Sequence, residues 1–262
     1  MSKVVFKHKE VVWTALIIQK LPKTSIFNAR IIRTTNYISH ELSEHYCILE
    51  MFQNWKKNTL SKMEQSDRSR AGGVDKPIQK MVTSINQHKN MFTTSSCSGR
   101  VIIFSTDDKS EKGKGHCTWH YTTHSTVCLE TVFETVKTKI NDNQPFTIKF
   151  EPCILHIQVE NLDLAREKLE AARAVGYRNS GISMGVRNLN KKNKPTKISL
   201  AIRHTAGLEV PFPDKNMVSS EYLEYLVNIC NDKMQENLKN IDKLNTVFVP
   251  TENSTINPES SS

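Results

Sequence analysis

None of the six cysteines (Cys47, Cys97, Cys117, Cys128, Cys153, Cys230) forms a C-x-x-C pair. That argues against a zinc site built on close cysteine pairs and against a thioredoxin-type centre. Without a convincing signal peptide, they are expected as reduced thiols of a cytoplasmic or nuclear protein. G-x-G-x-x-G and G-x-x-x-x-G-K-[ST] are also absent, so neither the dinucleotide fingerprint nor the P-loop is available. No run approaches the ~20 apolar residues of a membrane helix. The longest near the start, Val11 to Ile18, ends at Gln19-Lys20 and lacks a small-x-small cleavage site. Lys3, Lys7 and Lys9 precede it, which leaves a mitochondrial presequence open as a weak alternative to the cytoplasm. Residues 1–50 contain no glycine, and their apolar residues keep neither helical nor strand period. They are read as an extension of unknown role, followed by a domain over 51–248 and a polar tail over 249–262.

What is present is a 262-residue chain with 37% hydrophobic residues, enough for a substantial core. Lys and Arg outnumber Asp and Glu by 36 to 27, and the net charge of +9 favours an anionic partner.

The chain then alternates helix and strand patterns. Phe52, Trp55, Leu60 and Met63 mark an amphipathic helix with Lys56, Lys57 and Lys62 on its wetter side. Asp75 reads as an N-cap with Pro77 in the first turn, and Ile78, Met81, Val82 and Ile85 fall on one helical face. Thr93 to Arg100 is small, polar and hydroxyl-rich, and it reads as a tight crossing between two apolar strands. Strands are expected over 101–104, 116–123, 146–150 and 155–159, with Pro152 breaking the last two apart. Helices are expected over about 126–140, 161–175 and 220–244. Ile198, Leu200 and Ile202 alternate as another strand, and 188–197 is a basic loop. The order predicts a single α+β domain with a mixed sheet. A helix–strand–strand unit, each with a Ser-Gly loop, suggests an internal duplication.

Three arginines, Arg100, Arg178 and Arg203, adjoin strand ends or tight loops, where a guanidinium can clamp phosphate or carboxylate. Glu151 precedes Pro152 and Glu209 stands two residues before Pro211; they could hold ribose hydroxyls or bridge to an arginine. Trp119 and Tyr177 could stack on a base or sit in the core. Cys97 with His124 or His156 fits a thiol hydrolase if the groups meet, although a small buried thiol is commoner. A metal site from Cys97, Cys117, His116 and His124 has irregular spacing, so no metal is expected.

The run Phe92-Thr93-Thr94-Ser95-Ser96-Cys97-Ser98-Gly99-Arg100, preceded by Val74-Asp75 and Ile85-Asn86, resembles the signature of the wybutosine-synthesizing protein 3 family. Lys149-Phe150-Glu151-Pro152, Leu155-His156, Gly176-Tyr177-Arg178-Asn179-Ser180-Gly181-Ile182 and Gly207-Leu208-Glu209-Val210-Pro211 follow in order. So do Glu221-Tyr222 and Asn231-x-Lys233-Met234-x-Glu236-Asn237. The resemblance covers about residues 52 to 245. It implies an α+β fold unlike the Rossmann-type methyltransferases. It also implies S-adenosylmethionine-dependent methylation of N4 of the tricyclic base 7-aminocarboxypropyl-demethylwyosine, at position 37 of phenylalanine tRNA. Other enzymes of that pathway become candidate partners, and no membrane is implied.

On that reading Ser95, Ser96, Ser98, Gly99 and Arg100 form one wall of a cofactor site. Arg178, Asn179, Ser180 and Gly181 stand opposite, and Glu151 and His156 line the floor. His124, then His156, is the proton acceptor. Lys191, Lys192, Lys194, Lys197, Arg203 and Trp119 are assigned to RNA. The competing classes are a non-catalytic basic RNA-binding module and a Cys97 hydrolase.

Overall fold

In the computed structural model, residues 49–62, 73–106, 117–185 and 197–250 are described. The chain divides into two compact units, Met1–Lys57 with Asn188–Pro195, and Asn58–Arg187 with Thr196–Ser262. Residues 49–62 form helix α1. Phe52 on it is buried, and so is Lys56, which was expected on the wet side. Lys56 follows Phe52 by four residues and therefore shares its stripe, where an aliphatic stem can be buried.

The second unit holds the sheet. A 3-10 turn Lys76–Ile78 leads into α2 (Gln79–Gln87), then β1 (Met91–Thr106), β2 (Cys117–Thr123), α3 (Leu129–Lys139) and β3 (Phe146–Val159). Next come α4 (Leu162–Ala174), β4 (Gly181–Met184), β5 (Ile198–Arg203), β6 (Leu208–Phe212) and α5 (Ser220–Phe248). The strand order is β2-β1-β3-β5-β4, with β6 also paired to β3. Every pairing is antiparallel, so the expected mixed sheet is corrected to an antiparallel one. The reason lies in the connections. In the element order β1 leads straight to β2 and β4 straight to β5, and strands that follow one another in this way pair antiparallel.

Two expected breaks do not occur. The Thr93–Arg100 segment is not a crossing but the middle of β1, which pairs with β3 from Met91↔Val159 to Phe104↔Thr147. Its polar residues fit a strand because Ser95 is exposed and Ser96 and Cys97 are only partly buried. Pro152 likewise does not end β3. On the side away from β1, β6 stops at Phe150↔Leu208 and β5 begins at Ile154↔Arg203. Residues 151–153 are therefore a local edge, where a proline without an N–H is tolerated.

Two apolar cores flank this gap. One gathers Ile78, Met81, Ile85, Leu155, Ile157, Leu169, Leu200 and Ile241 from the 3-10 turn, α2, α4, α5 and the sheet. The other gathers Val101, Ile103, Val132, Phe150, Leu226 and Met234. Between Met234 and Ile241 the buried stripe of α5 carries Asn237. Its side chain accepts from the Cys153 N–H at 2.8 Å and donates to the Ser98 carbonyl at 2.7 Å. The amide thus bridges β1 and β3 at Ser98 and Cys153, which face each other between the pairs Cys97↔Ile154 and Gly99↔Pro152. Gly99 is what lets it in. Its φ is +104°, and a Cβ there would lie 2.7 Å from Asn237 Nδ2 and 3.1 Å from the Glu151 carbonyl oxygen. Only glycine combines that φ with that approach at no steric cost.

Candidate functional site

Three polar groupings lie along β1, two at Gly99 and Arg100 and the third at Ser95. The first is built from Asp75, Cys97 and His124. Asp75 makes no side-chain cap on the turn it precedes, contrary to expectation. Its Oδ2 instead accepts the Ser98 N–H at 2.7 Å and lies 3.3 Å from His124 Nδ1. His124 Nδ1 is 2.9 Å from the Gly99 carbonyl oxygen and 3.8 Å from Cys97 Sγ. Two oxygens that only accept therefore face Nδ1, which fixes the proton there and leaves the neutral ring's lone pair on Nε2. The segment after His124 is held by α5. Asn231 accepts the Val127 N–H at 2.7 Å and donates to the Val127 carbonyl at 3.0 Å.

The same geometry counts against a thiol nucleophile. Cys97 faces the protonated Nδ1 rather than a basic nitrogen. Burial pushes its thiol pKa up, Asp75 and Glu151 add to that, and the Gly99 backbone contact and Arg100 oppose it. Asp75, Cys97 and His124 offer donor atoms within 4.8 Å of one another. Their hydrogen bonds to one another and to the backbone already account for that proximity. Cys117, in the irregular metal set weighed from sequence, is exposed at the start of β2, and His116 lies outside the described residues. The five described cysteines are all unpaired.

The second grouping is ionic. Arg100 donates from Nε to Glu151 Oε2 at 2.7 Å, with Nη2 at 2.7 Å from the same oxygen. Lys149 reaches Glu151 at 3.4 Å and Glu209 at 2.9 Å. Glu151 and Glu209 thus bracket one lysine, and Glu151 also bridges to an arginine, one of the two alternatives open from sequence. Glu209, first among the causes, and then Glu151 hold the Lys149 ammonium above its ordinary range against its own burial. The Arg100 guanidinium lies 4.7 Å over the Trp119 ring, a cation–π contact. Trp119 is half-buried beneath it.

The third grouping joins the two walls expected from sequence. Ser95 Oγ is 2.8 Å from His156 Nδ1, and Arg203 Nη2 is 3.1 Å from His156 Nε2. An arginine only donates, so Nε2 accepts and the Nδ1–H must donate to Ser95. Burial, and then the Arg203 charge, lower the His156 pKa. The Arg203 N–H donates to Ser180 Oγ at 3.0 Å, and Arg173 donates to the Ser180 carbonyl at 2.9 Å. A chain Ser95–His156–Arg203–Ser180 therefore connects β1 to the turn before β4.

The other expected residues fall as follows. Ser96 is half-buried and Ser98 is buried. Arg178 and Asn179 are exposed on the turn, and Gly181 opens β4. Lys197 is exposed, with its carbonyl accepting the Gly185 N–H at 2.9 Å. Lys191, Lys192 and Lys194 lie outside the described residues. Tyr177 is wholly buried, which settles it as a core residue rather than a base-stacking one. Sequence reasoning did not place Asp75, Lys149 or Asn237 in the site. Asn237 had a signal, a polar residue on the apolar stripe of a long helix. Asp75 had none, because its partners lie 23 and 49 positions away.

Residues 54–249 match the family described as Methyltransferase TYW3. The tRNA wybutosine-synthesizing protein 3 homolog of Xenopus laevis is 40% identical over 75% of this chain and 74% of its own length. The human homolog of the same name is 38% identical over 73% of this chain and 70% of its own. Among solved structures, the PH1069 protein from Pyrococcus horikoshii superposes with a TM-score of 0.64 at 28% identity, over 78% of this chain and all of that one.

Proposed function

The chain belongs to the TYW3 methyltransferase family, and from that premise we propose that it transfers a methyl group from S-adenosylmethionine to N4 of the tricyclic wybutosine precursor. The substrate is position 37 of phenylalanine tRNA, in the cytoplasm. The names of the relatives, all tRNA wybutosine-synthesizing proteins, support the substrate. The observation that carries the reaction type is His124, held at the Gly99 carbonyl with no partner on Nε2 among the described residues, next to the Arg100–Glu151 pair and on the strand that also carries the Ser95–His156–Arg203 group.

Those groups suit an amino-acid methyl donor. Such a molecule carries a carboxylate, an ammonium and ribose hydroxyls. Arg100 can take the carboxylate in a fork, or Arg203, which the sequence reading assigned to RNA, can do so instead; Glu151 can take the ammonium or hydroxyls, and Ser95 adds a hydroxyl. When bound, the donor supplies an electrophilic methyl on a sulfonium. The protein's share is to orient the two reactants, exclude water and accept a proton, and orientation provides most of the help. Lys197, with Lys191, Lys192 and Lys194, suits phosphates of the anticodon stem-loop. Binding should therefore weaken steeply with salt.

No helix among the described residues is long and apolar enough to cross a membrane. The test is a methyl-transfer assay with the purified chain, labelled S-adenosylmethionine and phenylalanine tRNA bearing the unmethylated tricyclic base, read by nucleoside mass spectrometry. One added methyl on that nucleoside is expected. Binding of the tRNA without transfer, and without affinity for the donor, would instead leave an RNA-binding module.

A further inference from the structure

We propose that Asp75 is a positioning residue: with the Gly99 carbonyl it holds His124 so that Nε2 receives the proton leaving the substrate nitrogen, and its carboxylate then stabilises the imidazolium. This rests on the methyl-transfer reading above. In the step, the substrate nitrogen's electron pair forms the N–C bond. The C–S bond breaks with its pair leaving on the now neutral sulfur, and the nitrogen's proton passes to His124 Nε2.

Five observations converge on it. The oxygens at 2.9 Å and 3.3 Å from Nδ1 allow only the Nδ1–H tautomer in the neutral ring. The Asp75 side chain is 10% exposed, so its charge acts on the ring with little screening by water. The carboxylate is itself anchored by the Ser98 N–H, which fixes where it stands. The other candidate base, His156, has its Nε2 lone pair taken by Arg203. A raised thiol pKa keeps neighbouring Cys97 protonated and out of competition for the proton.

The anchor makes one substitution a clean probe. In Asp75→Asn the Ser98 N–H demands an acceptor, so the amide oxygen turns inward, to the place of Oδ2. Geometry and tautomer are kept while the charge is lost. A charge-assisted hydrogen bond is about twice as strong as a neutral one, which corresponds to about a tenfold fall in kcat. KM for both substrates should stay unchanged. His124→Asn keeps a donor for Gly99 and removes the lone pair, for a loss of about a hundredfold.

The tautomer is read separately, by nitrogen-15 NMR of histidine side chains in the full chain above the ordinary histidine range, with His124→Asn giving the assignment. Protonated Nδ1 and bare Nε2 are expected. An Nε2–H tautomer in the wild type overturns the proposal, and so does Asp75→Asn with wild-type kcat. If the wild type methylates no tRNA, the reaction reading fails on its own. The nitrogen spectra then decide the positioning claim without any substrate.

Discussion

His124 and His156 stand on opposite sides of Gly99 along β1, and they teach how neighbours set a histidine's chemistry. Both rings are half-buried and both have Nδ1 in a hydrogen bond. At His124 the second nitrogen has no partner among the described residues, and a carboxylate stands behind the first. At His156 the second nitrogen accepts from Arg203, and the positive charge opposes protonation. One imidazole is arranged to take up a proton. The other is a neutral strut that holds an arginine and a serine in place. The distinction comes entirely from which oxygen or nitrogen lies opposite each ring nitrogen, and the residue type alone carries none of it.

The largest expected effect comes from the element that supports both sides. Asn237→Ala leaves the Ser98 carbonyl and the Cys153 N–H buried without partners, at a cost of roughly 3 kcal/mol. Urea unfolding should show it as a lower midpoint with an unchanged slope. Gly99→Ala should be comparable or worse, because the positive φ and the Asn237 amide oppose a Cβ together. The sharpest comparison is between the rings themselves. His124→Asn should lower kcat about a hundredfold with little change in KM. His156→Asn should do the reverse, raising KM for the methyl donor several-fold by releasing Arg203 and leaving kcat within about threefold. Equal kcat losses from the two would erase the distinction.

Much of the fold was legible because it rests on local pattern. The stripes Ile78–Met81–Val82–Ile85 and Ala165–Leu169–Ala172 and the alternation of Ile198, Leu200 and Ile202 all have their cause within a few residues. The errors occur where a distant partner overrules local chemistry. Thr93–Arg100 looks like a turn until β3 pairs along it. Pro152 looks like a break until β5 and β6 are seen to leave that edge empty. Asp75 looks like a cap until Ser98 and His124 claim its carboxylate. In the site, residue types were readable and roles were not, since a histidine's role is fixed by partners tens of residues away.

Acid stability should test His156 next. The pKa values of His120, His156 and His204 are all lowered from the ordinary 6.5, mainly by burial. Above that value these rings are neutral in both folded and unfolded chains and cost nothing. As pH falls through it, the unfolded chain takes protons first, so stability is lost from there down toward the folded values. Calorimetry should show Tm level from about pH 8 to 7 and declining below about 6.5. His156→Asn should flatten that decline.

The smallest effect belongs to Cys97, although it sits between the two rings. Its thiol faces a nitrogen that already carries a proton, and burial disfavours the thiolate, so nothing in its surroundings activates it. Cys97→Ala should leave methyl transfer within about threefold, the scale of a minor packing change near a site rather than loss of a nucleophile. Alkylation supplies the complementary reading. Cys153, pushed up to about 12, and Cys230, to about 11, are buried and should resist. Exposed Cys117 and Cys128 should label before Cys97. Labelling of Cys97 first, with loss of activity, would mean that His124 serves a thiolate and not a substrate nitrogen. The contrast between the two rings would then have to be redrawn around sulfur.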